Sequence, residues 1–278
     1  MLRHTFVFLR GVGRAMERRL WSVGVRDWRD FLETPKIPGI GRERKAAFDA
    51  HLLALDRCLI RGNASVLFES LPVRERWRIY PDFRHRAAFL DIETTGLDIR
   101  ADITVVGVFL ADRYTPLIRG INLCEANLRR VLSNTDILVT FNGSSFDLPM
   151  LRASFPSLPL NFPHLDLRHI APRAGLHGGL KRVERALGIS RPREIRLLVS
   201  HDAAYLWRIW ERKGSRNALR LLIDYNRADC QNLRAVADEV VRRLAERVGL
   251  RAGAVSASGP RSWPQLCGAI SVSSSTYI

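Results

Sequence analysis

The sequence is poor in lysine and cysteine and has no long apolar run. The low cysteine content and the short apolar runs each argue against a class of protein. Lysine occurs at only four of 278 positions, so arginine supplies nearly all of the 44 basic side chains. The four cysteines form no C-x-x-C pair, which disfavours a disulfide framework or a zinc site. No apolar stretch approaches the roughly 20 residues that cross a bilayer, and the N-terminus lacks a secretory signal core. We therefore expect a cytoplasmic protein without membrane association.

Acidic residues are also scarce relative to basic ones. The chain carries 28 acidic side chains, a net charge of +16 and a pI of about 10.9. Such a charge predicts attraction to a polyanion, with nucleic acid as the expected partner. The alternative is that the arginine excess reflects genomic base composition. Charge alone separates neither DNA from RNA nor a binding protein from an enzyme.

Composition divides the chain into three segments. Residues 1–86 hold helix-like patches interrupted by glycine and proline, with 18 basic and 10 acidic side chains. Residues 87–248 alternate apolar runs with helical patterns, which is typical of an α/β domain. Residues 249–278 are rich in alanine, glycine and serine without any acidic residue, and they predict a disordered C-terminal tail.

Hydrophobic periodicity predicts the elements of the α/β domain. The expected strands are 87–91, 104–110, 115–119 and 137–141, with an extended piece possible at 165–170. The expected helices are 123–132, 148–155, 180–187, 201–213 and 217–248.

Two acidic residues end the first apolar run of this domain. Asp91 and Glu93 are two positions apart, so on a strand both point to one face while Leu90 and Ile92 point to the other. Carboxylates this close resist joint ionisation, and a hard divalent cation with oxygen ligands removes that cost. The alternative is a solvated strand end.

Two further stretches carry acidic residues in helical settings. Asp147 follows an apolar run and a small-residue turn that begins at Asn142. For Asp147 the alternative is an ordinary helix cap. Tyr225 and Asp229 are four positions apart and therefore adjacent on one helical face. A surface hydrogen bond is the alternative for this pair.

Together the three stretches resemble the DEDD (DnaQ-like) 3′–5′ exonuclease superfamily. Residues 91–96, DIETTG, resemble its D-x-E-T-T-G motif; residues 142–147, NGSSFD, resemble N-x-x-x-[FY]-D; and residues 225–229, YNRAD, resemble the tyrosine version, Y-x-x-x-D. The resemblance covers roughly residues 87–245 and implies an α/β ribonuclease H-like fold, a mixed sheet flanked by helices. The stretch 178–184 and the N-terminal segment are most similar to the YprB-type ribonuclease H-like branch.

The resemblance implies a site that holds two Mg²⁺ or Mn²⁺ ions. The implied metal ligands are Asp91, Glu93, Asp147 and Asp229. Asp91 would bridge both ions, while Glu93 and Asp229 would hold the ion that activates water. Asp147 would support the second ion, and Tyr225 would orient the attacking water. Two such ions stabilise the entering and leaving oxygens of a displacement at phosphorus, so the implied reaction releases a nucleoside 5′-monophosphate from a strand end.

The resemblance also implies a pocket for the 3′-terminal nucleotide. Gly96 would let the backbone approach closely, and Leu97 would pack on the terminal base unless it is a core residue. The implied substrate-binding residues are Thr94, Thr95, Gly96, Leu97, Asn142, Phe146 and Lys181. Weaker candidates, for which a structural or solvated role is at least as common, are His164, Asp166, Arg182 and Arg185.

Two turns in residues 1–86 resemble helix-hairpin-helix turns. They are 8–14, FLRGVGR, and 37–42, IPGIGR, and such turns present backbone N–H groups that suit a phosphate. Glu17 departs from the small residue often found after the first turn. The alternative is a structural helical cap on the α/β domain. The cations that follow the turns are Arg14, Arg42, Arg44 and Lys45.

These observations predict a metal-dependent 3′–5′ exonuclease acting on DNA or RNA. The alternatives are a non-catalytic nucleic-acid-binding protein that retains the fold and a structure-specific endonuclease that uses the same metals. The sequence does not indicate sugar preference, strandedness or protein partners.

Overall fold

A five-stranded mixed sheet forms the centre of the protein. In the computed structural model, residues 1–198 and 200–250 are described, without the side chains of residues 200 and 201. Across the sheet the strand order is β3-β2-β1-β4-β5; β2 is antiparallel to β1 and β3, and β4 is parallel to β1 and β5. The strands are β1 (Ala87–Thr94), β2 (Ile103–Leu110), β3 (Arg113–Ile118), β4 (Ile137–Thr140) and β5 (His164–Asp166).

Helices cover both faces of the sheet and form most of the N-terminal segment. The longest ends at Val248, and the C-cap Gly249, whose φ is positive, donates its N–H to carbonyls of the last turn. The helices are α1 (Arg14–Ser22), α2 (Trp28–Glu33), α3 (Arg42–Ile60), α4 (Ala64–Ser70), α5 (Tyr80–Phe83), α6 (Glu125–Leu132), α7 (Asp147–Ser154), α8 (Leu167–Ile170), α9 (Leu180–Ala186), α10 (Ser200–Lys213) and α11 (Arg216–Val248). Short 3₁₀ turns lie at Leu2–His4, Val73–Ile79, Arg84–Arg86 and Ala171–Ala174.

The alternation of β1 separates two apolar cores. Leu90 and Ile92 belong to the core beneath α6 and α7. Phe89 belongs to the core on the opposite face, where α11 packs. Asp91 and Glu93 continue that second face, as their spacing predicts, and meet α11 at the end of the strand. The pleat of β1 therefore places both carboxylates against the longest helix.

The N-terminal segment packs into the same core as the sheet. One apolar cluster contains residues from Met1 to Leu250 and includes Phe89 of β1. The rings of Tyr80 and Phe89 lie edge-on with centroids 6.4 Å apart, and the Tyr80 hydroxyl donates to Asp238 of α11 at 2.7 Å. Residues 1–86 are thus joined to the α/β domain by apolar packing and by a partly buried hydrogen bond.

A buried ion network explains the departure at Glu17 from the helix-hairpin-helix pattern. The guanidinium of Arg78 is fully buried between Glu17, at 2.8 Å, and Glu75, at 2.7 Å. Glu17 also accepts the backbone N–H of Phe6 at 2.7 Å. Since each buried charge has a partner, the network ties α1 to the segment before β1.

The two glycine turns lie side by side, but three of the four predicted cations are engaged by contacts within the protein. Arg44 donates from Nη2 to the carbonyl of Arg10 at 3.1 Å, which brings the turn before α1 to the start of α3. Lys45, expected to add counter-charge beside the second turn, is buried and paired with Asp49 at 2.7 Å, so its charge is not available to a ligand there. Arg14 is paired with Glu75, whereas Arg42 and Arg44 are exposed.

Two other expectations need correction. The extended piece at 165–170 is wrong beyond Asp166, because that side chain accepts the N–H of Arg168 and starts α8. The predicted tail begins too early, because Leu250 is buried against α11; residues 251–278 of that tail lie outside the described residues. Across 1–198 and 200–250, no helix is long and apolar enough to cross a membrane.

Candidate metal centre

Three carboxylates meet in a cleft at the end of β1. Each of Asp91, Glu93 and Asp229 has an oxygen within 4.8 Å of the others. Glu93 and Asp229 are buried, while Asp91 is partly exposed. The cleft has a volume of about 630 Å³ and is also lined by Asp147 and Tyr225. Motifs from β1, α7 and α11, far apart in the sequence, therefore share one cavity.

An irregularity in the sheet shapes one wall of this cleft. The register between β1 and β2 shifts between Glu93 and Thr94, and such a bulge redirects the chain at the edge of a site. The hydroxyl of Thr94 donates to the carbonyl of Gly96, and the N–H of Thr95 donates to the backbone carbonyl of Asp102 at 2.9 Å. This turn leaves Leu97 84% exposed while it lines the cleft, so Leu97 is not a core residue.

Asp147 lines the same cleft but stands apart from the group of three. Asp147 is the first residue of α7, and its Oδ1 accepts the N–H of Ile92 at 3.1 Å. Asn142 adopts a left-handed conformation, with φ of 72°, in the turn before α7. Asp166 holds this turn by accepting the N–H groups of Asn142, at 2.7 Å, and Ser144, at 3.0 Å. Asp166 therefore supports the cleft from behind and is not among its lining residues.

The side-chain amide of Asn226 contacts two of the carboxylates. Its amide donates to Oδ2 of Asp91 at 2.9 Å and lies 3.5 Å from Oε1 of Glu93. Its oxygen accepts the hydroxyl of Tyr114 at 2.8 Å, so the amide is anchored on both sides. Asn226 is fully buried. The arrangement fixes the orientation of the Asp91 carboxylate before any ligand arrives.

Gly107 makes room for Asn226. It lies in the middle of β2, directly opposite Asp91 in the ladder. A β-carbon at this position would collide with the side chains of Asn226 and Cys230. Glycine in a strand interior is otherwise unfavourable, so its presence here reflects the close approach of α11 to the sheet.

A buried arginine holds the third carboxylate. Arg191 donates from Nε to Oε2 of Glu184 at 2.7 Å and from Nη2 to Oε1 of the same residue at 2.6 Å. Nη2 also donates to Oδ1 of Asp229. Glu184 in turn accepts the amide of Asn232 at 3.0 Å. This network connects α9 to α11 and orients Asp229.

The ring of Tyr225 lies between the cleft and two cations. Nζ of Lys181 is 4.7 Å from the ring centroid, and Cζ of Arg191 is 5.5 Å from it. Burial raises the pKa of the Tyr225 hydroxyl above its usual value, so the phenol stays protonated and can donate or accept a hydrogen bond. Lys181 also donates to the carbonyl of Leu198, and it does not line the cleft.

Burial and mutual repulsion make the four carboxyl groups hard to ionise together. Burial, followed by the charge of Asp229, raises the pKa values of Asp91 and Glu93 well above their usual range. Burial likewise raises the pKa of Asp147 to about 7. For Asp229, burial raises the pKa to about 6 although Arg191 opposes the shift.

The donor set suits a hard divalent cation. The three grouped side chains offer only carboxylate oxygens, the ligands that Mg²⁺ and Mn²⁺ prefer. A divalent charge between them would offset the repulsion that raises their pKa values. Asp91, Glu93 and Asp229 thus fit such an ion, with Asp147 near enough to act on a ligand in the same cleft.

Most of the residues expected from the sequence line this cleft. The expected residues that do not line it are Lys181, His164, Asp166, Arg182 and Arg185. The ring of His164, for example, forms a hydrogen bond with the hydroxyl of Thr140 at 2.9 Å within the sheet. The expected residues that line the cleft are Asp91, Glu93, Thr94, Thr95, Gly96, Leu97, Asn142, Phe146, Asp147, Tyr225 and Asp229.

Sequence reasoning missed three contributors. Arg208 of α10 lines the cleft, Asn226 orients two carboxylates, and Arg191 holds the third. A glycine within the β-branched run 103–110 was the available signal for Asn226, because such a glycine marks a close approach. No local pattern indicates Arg191, which lies 38 residues from Asp229.

Comparisons with known proteins found a matching family model and a similar solved structure. A solved structure with similarity to the chain is the family B DNA polymerase from the hyperthermophilic archaeon Pyrobaculum calidifontis, at 18% identity and a TM-score of 0.43, over 58% of this chain and 24% of the polymerase. No curated protein sequence matches the chain. A family model described as RNase H superfamily matches residues 88–241, more than half of the chain. The chain therefore belongs to the RNase H superfamily.

Proposed function

We propose that this protein is a metal-dependent 3′–5′ exonuclease of the tyrosine-type DEDD group. The observation that carries the proposal is the meeting of Asp91, Glu93 and Asp229 within 4.8 Å, in a cleft that also contains Asp147 and Tyr225. The superfamily membership makes a nuclease the coarse expectation. The YprB-type placement, the cytoplasmic location and the domain division at residue 87 stay predictions of the sequence.

In this proposal the acidic side chains bind metal, and Asn226 orients one of them. Asp91, Glu93 and Asp229 would hold Mg²⁺ or Mn²⁺, with Asp147 completing a two-ion site. Bound ions would supply an activated water and stabilise charge on the entering and leaving oxygens. Asn226 keeps the Asp91 carboxylate in one orientation, so little reorganisation is needed on binding.

The remaining cleft residues would bind the strand end. Tyr225 presents a protonated hydroxyl that can orient the attacking water by a hydrogen bond. Leu97, exposed on the opposite turn, offers an apolar surface to the terminal base. Arg208 adds positive charge to a cavity whose other charged lining residues are carboxylates, and arginine suits a phosphate. The substrate class is therefore a DNA or RNA strand with a free 3′ end.

Degradation of end-labelled oligonucleotides tests the proposal. A 5′-labelled strand incubated with Mn²⁺ or Mg²⁺ should shorten stepwise, and a 3′-labelled strand should release labelled mononucleotide first. Asp229→Asn should abolish both. Asp224→Asn, the same change on the same helix outside the cleft, should leave both intact.

Other outcomes identify the alternative functions. Internal fragments from both labels would show an endonuclease that uses the same carboxylates. Binding of strands without degradation by either metal would show a nucleic-acid-binding protein that retains the fold. Single-stranded DNA, duplex DNA and RNA offered in parallel would define the substrate.

A further inference from the structure

A second cavity lies behind the metal centre. It has a volume of about 590 Å³ and is bounded by α9 and the loop that follows it. Lys181, Arg185, Arg191 and Arg196 line it, with Glu184 as its acidic residue. The cavity is separate from the cleft, since the two share no lining residue.

The charge of this cavity is strongly positive. Glu184 is already neutralised by two hydrogen bonds from Arg191. Arg185 and Arg196 are exposed, and within the described part of the chain neither forms an ion pair with a carboxylate. Their charges are therefore available to a ligand, and arginine presents the planar fork that matches a phosphate.

The cavity is connected to the metal centre by two of its own side chains. Arg191 reaches from the cavity to Asp229, and Lys181 lies over the ring of Tyr225 at 4.7 Å. Arg191 is only 6% exposed, and among the described residues its Nη1 has no hydrogen-bond partner. A buried donor without a partner is costly, and an anionic ligand beside it would remove that cost.

The cavity also has an apolar side. Ile189, Leu197 and Leu198 line it, and Leu197 is 89% exposed. Positive charge attracts a nucleic-acid backbone, and the three aliphatic side chains offer an apolar surface to an adjoining sugar. A small inorganic anion would use the charge alone.

We propose that this cavity binds an internal backbone phosphodiester of the strand whose 3′-terminal nucleotide occupies the metal cleft. The inference rests on the proposed function and adds a second anchoring point for the same strand. Arg185 and Arg196 contact the phosphate, and Arg191 links that contact to Asp229. Substrate length then matters, because a mononucleotide ester fills only the cleft.

Strand binding without metal tests the proposal independently of catalysis. The affinity of a fluorescent single-stranded 10-mer is measured by anisotropy in EDTA for wild type and for the double variant Arg185→Ala/Arg196→Ala. The matched control is Arg182→Ala/Arg193→Ala, two exposed arginines on the same helix and loop that do not line the cavity. Equal folding of the three proteins is checked by their melting temperatures.

The cavity variant should bind about tenfold more weakly than wild type, whereas the control variant should change about twofold or less. The slope of log affinity against log salt should fall by about 0.7 for each lost phosphate contact. Equal weakening by both variants would show a general charge effect and overturn the proposal, and so would unchanged binding by the cavity variant.

Two further measurements complete the test. The first shows whether the phosphate in the cavity belongs to a strand or to a mononucleotide product, and the second tests the nuclease proposal separately from the cavity proposal. A nucleoside 5′-monophosphate that displaces the 10-mer from wild type but not from the cavity variant would assign the cavity to product and overturn the strand assignment. Hydrolysis of the p-nitrophenyl ester of thymidine 5′-monophosphate with Mn²⁺ should be equal in wild type and the cavity variant. Absence of that hydrolysis in wild type would contradict the nuclease proposal, while the binding comparison would still decide on the cavity.

Discussion

The side-chain oxygen of Asn226 occupies the space that a β-carbon on Gly107 would need. Gly107 lies opposite Asp91 in the ladder between β1 and β2, so the missing side chain is what lets α11 reach the carboxylate. Tyr114, on the neighbouring strand, fixes the other end of the amide. The orientation of Asp91 thus depends on a glycine, an amide and a phenol that never touch a substrate.

Gly107→Ala should impair metal binding and stability together. The added methyl group has to displace Asn226 in a packed core, at a cost of about 1–3 kcal/mol. Mn²⁺ affinity, measured by calorimetry, should fall about tenfold or more because Asp91 loses its amide partner. Gly41→Ala is the control, since a β-carbon there meets nothing within 4 Å.

The double variant Gly107→Ala/Asn226→Ser separates the two effects. Serine vacates the space that the methyl group needs, so much of the lost stability should return. The affinity for Mn²⁺ should stay low, because serine cannot reach Asp91. Recovery of both quantities would show that Asn226 only fills space.

Asp147→Asn should stabilise the metal-free protein increasingly as the pH rises. The pKa of Asp147 is raised from 3.8 to about 7, so the folded protein retains a proton that the unfolded chain releases above about pH 4. The stability from this group is full below about pH 4 and is lost as the pH rises through about 7. Asparagine stays neutral, so its advantage over wild type should grow by more than about 1 kcal/mol between pH 4 and pH 8.

Urea unfolding in EDTA at several pH values measures this difference. Asp98→Asn, in an exposed turn next to the cleft, is the control and should show no growing advantage. A stability difference between Asp147→Asn and wild type that stays constant with pH would contradict the raised pKa.

Arg191→Met should destabilise the protein through the loss of a buried charge partner. Glu184 is 2% exposed and would lose its buried charge partner with Arg191, which costs about 3–5 kcal/mol. The double variant Arg191→Met/Glu184→Gln removes that unpaired charge and keeps the acceptor for Asn232. It should recover about half of the lost stability or more in denaturant unfolding. A double variant no more stable than the single one would show that the pair is not coupled.

Arg208→Ala should weaken strand binding and spare metal binding. Arg208 lines the cleft from α10, and within the described residues it forms no ion pair, so its charge is available to a phosphate. The KM for an oligonucleotide should rise about five- to tenfold, while the Mn²⁺ affinity stays unchanged. Arg212→Ala, one turn further along the helix and outside the cleft, is the control. A loss of Mn²⁺ affinity in Arg208→Ala would place the residue in the metal site instead.

Local patterns predicted the strands and the face of β1 that carries carboxylates. A continuous apolar run predicted the strand, and side chains two positions apart on a strand point to the same face. Asp91 and Glu93 could therefore be assigned to one face from the sequence. Tyr225 and Asp229 followed in the same way from the helical repeat. These relationships involve residues within five positions of one another.

Contacts between distant segments were beyond the reach of such patterns. The Arg191–Asp229 bond and the Asn226–Asp91 bond depend on how α11 sits on the sheet, and a residue type alone does not predict that. Lys45 shows the opposite case, because its position after a glycine turn suggested free counter-charge, yet it is buried and paired with Asp49. Charge and spacing indicate what a side chain can do, whereas burial decides whether it is free to do so.

The central claim is that three grouped carboxylates form a divalent metal site, and calorimetric titration with Mn²⁺ tests it most directly. Wild type should bind Mn²⁺ and melt at a higher temperature when it is bound. Asp91→Asn should fold and bind about tenfold more weakly or not at all, whereas Asp98→Asn should match wild type. A folded wild type that binds no Mn²⁺, or that binds it no better than Asp91→Asn does, would contradict the account.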